Sequence, residues 1–220
     1  MVAIDGPSGA GKSTVARVLA ARLGVPYIDT GAMYRAVGLA AERRGVPLPI
    51  PDPEGVARIA ESVRVELIPS PEGNRVLLDG VDVSQEIRRP EISLYASAVS
   101  AIPAVRRILV AQQQRLGRER GGVLEGRDIG TRVFPETPFK FFLTADPAVR
   151  AERRTRELQD RGTPEPYEKV LQEMKKRDQD DGSRADSPLT VDDRYTLIDS
   201  SGQPIDAVVA DIEGRVRRTI

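Results

Sequence analysis

Nine residues near the start of the chain, Gly6-Pro7-Ser8-Gly9-Ala10-Gly11-Lys12-Ser13-Thr14, leave few folds open, because they fit the pattern G-x-x-x-x-G-K-[ST]. Val2-Ala3-Ile4 before them reads as a short buried strand. After them, Val15, Val18, Leu19 and Leu23 share one face of a helix that Gly24 and Pro26 end. A glycine-rich turn between a strand and a helix aims successive backbone N–H groups, and the positive end of the helix dipole, at a single anion. Lys12 adds a point charge for β- and γ-phosphates, and the Ser13 hydroxyl is placed to coordinate Mg²⁺. The whole run is read as a nucleoside-triphosphate cradle.

The rest of the chain alternates strand and helix. Tyr27-Ile28 looks like a second strand, and residues 32–43 like a helix. Gly121-Gly122 introduces a strand at Val123-Leu124, and Phe139 to Leu143 makes another. Asp146-Pro147 is a helix start, with Asp146 as N-cap and Pro147 in the first turn. A last strand is expected at Tyr195 to Ile198, followed by a helix carrying Ile205, Val208, Val209, Ile212 and Val216 on one face. Such alternation predicts a parallel sheet covered on both faces. One stretch differs: Val63, Val65 and Leu67 alternate with polar residues, and Asp79-Gly80 between short apolar runs signals a type I′ hairpin, so a small antiparallel insert is expected at 63–84. Residues 148–181 are highly charged, and the charge pattern alone is equally that of a solvated helical hairpin.

With 220 residues, 40% of them hydrophobic, the chain can bury one core with a small insert or lid. Its formal net charge is zero, which gives no case for a nucleic-acid or anionic-membrane partner. Cys and His are both missing, so disulfides, thiol or imidazole catalysis and the usual zinc sites are excluded. Lys stands only at positions 12, 140, 169, 175 and 176, and every other basic residue is Arg, whose planar fork grips phosphate bidentately. A general compositional bias explains most of those arginines equally well. The N-terminus opens straight into Val2-Ala3-Ile4 without a basic region or cleavage site, and no apolar run nears membrane-spanning length, so a cytoplasmic location is expected.

The cradle names a donor and leaves the acceptor open. The only Asn is Asn74, followed by Arg75, so the Asn-Lys-x-Asp base-reading segment of GTPases is missing. Transport and motor ATPases carry an apolar run ending in Asp-Glu, whereas Val123-Leu124 runs into Glu125-Gly126-Arg127-Asp128. Acids mixed with a phosphate-gripping Arg suit a second small anion better than a catalytic water.

Asp29-Thr30-Gly31-Ala32-Met33-Tyr34-Arg35, Glu125-Gly126-Arg127-Asp128-Ile129-Gly130-Thr131, Lys176-Arg177-Asp178 and Ser183-Arg184-Ala185 resemble the signature segments of bacterial cytidylate kinases. With the cradle, the resemblance runs from residue 4 to residue 190, and the insert after residue 60 is similar to the three-stranded insert of that family's monophosphate-binding domain. It implies the P-loop nucleoside monophosphate kinase fold: α/β, a parallel five-stranded sheet core with helices on both faces, a small antiparallel insert in the acceptor-binding domain and a short helical lid. The matching divisions are 1–30, 105–148 and 166–220 as core, 31–104 as acceptor-binding domain and 149–165 as lid. The resemblance also implies ATP as donor, Mg²⁺ as cofactor, CMP and dCMP as acceptors, and a monomer.

Carried over by position, Arg35 and Arg127 match the family's arginines on the acceptor phosphate. Thr30, Asp128 and Arg177 match residues near the ribose, and Ser97, Arg106 and Arg184 match those that read the cytosine. Thr30 stands where relatives also have Ser, and Glu125 where they also have Asp; both keep the functional group. Lys12, Arg127, Asp128, Arg153 and Arg154 are the expected catalytic groups, and Arg150, Arg153 and Arg154 or their neighbours are expected to close as a lid, with closure about hinges near Gly31 and Gly162 to exclude water. Kinases for AMP, dTMP, shikimate or gluconate remain the alternatives. Against them, the Gly-Phe-Pro-Arg segment of adenylate kinases is replaced by Gly126-Arg127-Asp128, and Asp193-Arg194-Tyr195 lies too late for a thymidylate kinase motif.

Overall fold

A computed structural model describes residues 1–70, 73–184 and 186–218. In chain order the elements are β1 (Val2–Asp5), α1 (Lys12–Leu23), β2 (Tyr27–Asp29), α2 (Thr30–Arg43), α3 (Pro53–Ser62), β3 (Val65–Ser70), β4 (Gly73–Leu78) and β5 (Val81–Asp82). A 3₁₀ turn at Glu86–Arg88 leads to α4 (Pro90–Ser100) and α5 (Pro103–Arg120). Next come β6 (Val123–Gly126), a single wide turn at Ile129–Val133, β7 (Phe139–Thr144), α6 (Pro147–Asp160), α7 (Tyr167–Gly182), β8 (Thr196–Asp199) and α8 (Ile205–Arg217).

The strands form a five-stranded sheet in the order β2-β6-β1-β7-β8 and a three-stranded sheet in the order β3-β4-β5. The chain divides into two compact units, Met1–Val25 with the chain from Glu125 onward, and Pro26–Leu124. In the first unit, β1 and β7 run parallel with Val2 opposite Phe139, and β7 and β8 run parallel with Phe141 opposite Thr196. All four residues of β1 are buried, as expected of an inner strand of a parallel sheet. The core of this unit is built from Ile4, Leu19, Leu143, Ile198, Val209 and Ile212, and α1 packs against α8. A second apolar cluster, Ala151, Leu158, Val170 and Met174, joins α6 to α7. The charged segment is therefore a helical hairpin with a small core of its own.

In the second unit, β3 and β4 are antiparallel with Val65 opposite Leu78. Leu78 faces Val81 across a two-residue loop in which Asp79 and Gly80 both have positive φ, 52° and 82°. That is the I′ geometry the Asp-Gly pair announced. Met33, Leu39, Ile87, Ile92 and Leu109 fill this unit's interior.

One local expectation needs correction. The last strand begins one residue later than expected, because Tyr195 closes a turn through its N–H to Asp192 O and sends its hydroxyl to Asp5 instead of extending β8. Gly31 lies in the first turn of α2, and the chain passes between the two units at Val25–Pro26 and Leu124–Glu125. Among the described residues no single helix is long and apolar enough to cross a membrane.

Helices α2 and α4 approach closely because Gly38 has no side chain: a Cβ there would lie 3.0 Å from Ala96 N and 3.0 Å from Tyr95 Cβ. Backbone cannot yield as a side-chain tip can, so overpacking should outweigh the roughly 1 kcal/mol by which glycine weakens a helix. Gly38→Val is expected to lower stability by about 2 kcal/mol, measured as a shift of the urea midpoint at unchanged slope.

Candidate active site

The cradle sits between β1 and α1, as its sequence requires. Gly6 has φ 145°, and a Cβ on it would lie 2.0 Å from Leu143 O, so only glycine lets the chain leave β1 against β7. Gly11, in the left-handed region, caps α1 and accepts from Val15 N–H. Lys12 is buried and its Nζ donates to Pro7 O at 2.7 Å, so the side chain curls back over the loop. The Ser13 hydroxyl donates to Glu125 Oε2 at 3.0 Å, which sets a hydroxyl beside a carboxylate at the end of β6. Burial, then the positive charges of Arg127 and Arg177, bring Lys12 down to about 7, against the opposing pull of Glu125 and Asp5.

Beside the cradle the arginines of this unit rest on carboxylates of α7. Arg127 Nε donates to Asp181 Oδ2 at 3.0 Å, and Arg184 pairs with the other oxygen of the same group. Burial pushes Asp181 up, but the charges of Arg127, Arg184 and Arg177 outweigh it and hold the carboxyl below its usual range. Arg150, only 4% exposed, donates to Ala145 O, to Ser8 O at 3.1 Å and to Asp178 at 2.6 Å. Asp128 is buried, and its carbonyl accepts from Arg132 and Val133 N–H at the start of the wide turn. Asp5, fully buried at the end of β1, accepts from Ile129 N–H, Gly130 N–H and the Tyr195 hydroxyl. Burial raises Asp5 to about 6 against those three bonds, with the Asp128 charge adding to the rise.

The second unit carries its own set. Asp29 caps α2 by accepting from Ala32 N–H at 2.9 Å, and its other oxygen takes Arg35 Nη2 at 2.6 Å. Thr30 is buried as the first residue of α2. Arg106, on α5 and 3% exposed, lies 5.7 Å above the Tyr34 ring centroid and donates to Ser100 O at 3.2 Å. Ser100 in turn donates to Ser97 O at 2.8 Å, so Ser97 and Arg106 share one hydrogen-bonded corner where α4 meets α5.

The first unit thus gathers Lys12, Ser13, Glu125, Arg127, Asp128, Arg177 and Arg184, and the second gathers Thr30, Arg35, Ser97 and Arg106. Arg153 donates to Ser200 O at 2.6 Å and Arg154 to Glu157 at 2.8 Å, while Arg150 on the same helix reaches the cradle itself. Of Ser183-Arg184-Ala185, Ala185 lies outside the described residues. The sequence alone assigned no site role to Asp181, Asp5 or Tyr195, and quoted Asp178 only within the Lys176-Arg177-Asp178 segment. The signal for Asp181 was present: it continues the buried stripe Val170, Met174 along α7, at a position where a solvated helix needs no burial.

The sequence profile of the cytidylate kinase family matches residues 2–218. A cytidylate kinase from Caldanaerobacter subterraneus is 48% identical over 99% of this chain and 94% of its own length. One from Pelotomaculum thermopropionicum is 49% identical over 98% of this chain and 95% of its own. Among solved structures, an uncharacterized protein from Eubacterium ventriosum superposes with a TM-score of 0.53 at 13% identity, covering 98% of this chain and 97% of that one, a likeness of fold.

A triphosphate laid against Lys12 would restore the full positive charge that burial and the two arginines suppress. At pH 8, above the depressed value of about 7, nucleoside-triphosphate binding is therefore expected to take up close to one proton, and at pH 6 almost none. The dependence of the calorimetric binding enthalpy on buffer ionisation measures this, and Lys12→Met should abolish the uptake.

Proposed function

Starting from its membership of the cytidylate kinase family, we propose that this chain, a phosphotransferase, moves the γ-phosphoryl group of ATP onto CMP and dCMP. It works as a monomer in the cytoplasm. The observation that carries the reading is the pair of guanidinium groups, Arg127 and Arg184, held on one buried carboxylate in the same unit as the triphosphate cradle. Such a cluster is costly to assemble unless anions are its purpose.

The cradle amides and Lys12 hold the donor phosphates. Arg35 and Arg127 orient the acceptor phosphate, Thr30, Asp128 and Arg177 the ribose, and Ser97, Arg106 and Arg184 the base edge, whose O2 and N3 are acceptors. Positioning the two anions in line and spreading the developing charge over fixed cations supplies most of the rate, so the missing His is no obstacle. Arg150, tied to Ser8 O, is the α6 arginine that stands against the donor loop, and Arg153 and Arg154, resting on Ser200 and Glu157, follow it along the same helix.

The residues suit Mg²⁺. Ser13 Oγ and Glu125 are hard oxygen donors 3.0 Å apart, and among the described residues no group of three His, Cys, Asp or Glu builds a self-sufficient cage. An ion held mainly by phosphates and water asks for no more than this. Ser13 would hold it, with Glu125 behind, and bound there it neutralises charge on the phosphates being transferred.

The test is a panel of monophosphates offered with ATP and Mg²⁺ in an ADP-release assay. CMP and dCMP should turn over, with AMP and GMP at least about a hundredfold lower in kcat/KM. Arg106→Met and Arg184→Met should each cost about tenfold or more in kcat/KM for CMP while leaving ATP affinity within about twofold. Equal losses on both sides would count against base reading.

A further inference from the structure

We infer that Asn74, on the small antiparallel sheet, positions Arg35 through Asp29 and thereby sets how firmly the acceptor phosphate is held. The inference rests on the reading of Arg35 given above. Asn74 lies in β4, yet its side-chain amide reaches β2: Oδ1 accepts from Asp29 N–H at 2.8 Å and Nδ2 donates to Tyr27 O at 2.8 Å. Those two backbone groups point the same way from β2, the outermost strand of the large sheet. One side chain thus does on this edge what a further strand would do, and both of its hydrogen-bonding ends are used.

The residue pinned in this way is the one on which α2 and Arg35 depend. With its main chain fixed, Asp29 points one carboxylate oxygen at Ala32 N–H to start α2 and the other at Arg35 Nη2, at 2.6 Å. Space is kept for that pair: a Cβ on Gly31 would lie 3.2 Å from Asp29 Oδ1 and 3.3 Å from Arg35 Nη1. The bonds run in series from the insert to the guanidinium, and all of them lie within the second unit. Asn74 is a positioning residue, since it touches Asp29 and Tyr27 and acts on Arg35 only through them. Leu has its volume and neither of its hydrogen-bonding ends. Asp keeps the acceptor toward Asp29 N–H and loses the donor toward Tyr27 O.

The experiment is a double-mutant cycle on the full chain with Asn74→Leu and Arg35→Met, read as kcat/KM for CMP and KM for ATP, with urea midpoints to verify folding. Asn74→Leu is expected to lower kcat/KM for CMP about tenfold and to move KM for ATP less than about twofold. In the Arg35→Met background it should cost less than about twofold more, because the residue it positions is gone. Asn74→Asp, the variant to use if the Leu protein does not fold, should lose about threefold alone and nothing further in that background. A folded Asn74 variant with unchanged use of CMP, or a loss that persists undiminished in the Arg35→Met background, overturns the inference alone. Unchanged use of CMP by Arg35→Met overturns the reading on which it rests.

Discussion

Gathering positive charge where water is scarce is the constraint on which this structure turns. Most of the cationic groups assigned to a phosphate or a base are also given a carboxylate: in the first unit Glu125 and Asp5 bear on Lys12, Asp181 takes Arg127 and Arg184, and Asp178 takes Arg150, and in the second Asp29 takes Arg35, while Arg106 has the Tyr34 ring and Ser100 O. Without the carboxylates the cluster would repel itself, and a buried charge stripped of its partner costs about 3–5 kcal/mol. With them the guanidinium groups stand in place before any nucleotide arrives.

The same constraint explains why part of the site was legible in the sequence and part was not. The cradle could be read because its chemistry is local: the glycines, Lys12 and Ser13 do their work within one loop, with a strand before and a helix after. The Asp79-Gly80 hairpin and the Asp146-Pro147 helix start were readable for the same reason, each being a backbone requirement met by two adjacent residues. Asp181 stands in Lys175-Lys176-Arg177-Asp178-Gln179-Asp180-Asp181, where the helical stripe of Val170 and Met174 marks it as buried but the charge pattern makes it look solvated. Its partner lies 54 positions earlier, and charge pattern carries no information about that. Asn74 entered the sequence argument only as the sole Asn. Its bonds to Tyr27 and Asp29 depend on a register between β4 and β2 that no local rule supplies.

Where local pattern and structure differ, a tertiary polar contact is the cause. Tyr195 is aromatic and precedes an apolar run, but its hydroxyl is drawn to Asp5, since a buried carboxylate leaves few other ways of being satisfied. The polar contact overrides the local strand preference. Gly31 shows a different use of glycine: in the first turn of α2 it leaves room for the Asp29–Arg35 pair.

The choice of arginine at these few positions has a reason in the same terms. Lys12 is buried, and burial together with the charges of Arg127 and Arg177 brings it down to about 7, at the edge of neutrality. Arg127 and Arg184 share Asp181, and Arg150 sits on Asp178, contacts made through a planar fork that a lysine's single ammonium would not reproduce. A guanidinium holds its proton several pH units more firmly and spreads its charge over a plane that two oxygens can grip at once. The arginines paired with Asp181 and Asp178 are therefore not interchangeable with the buried ammonium of Lys12, which curls back onto Pro7 O.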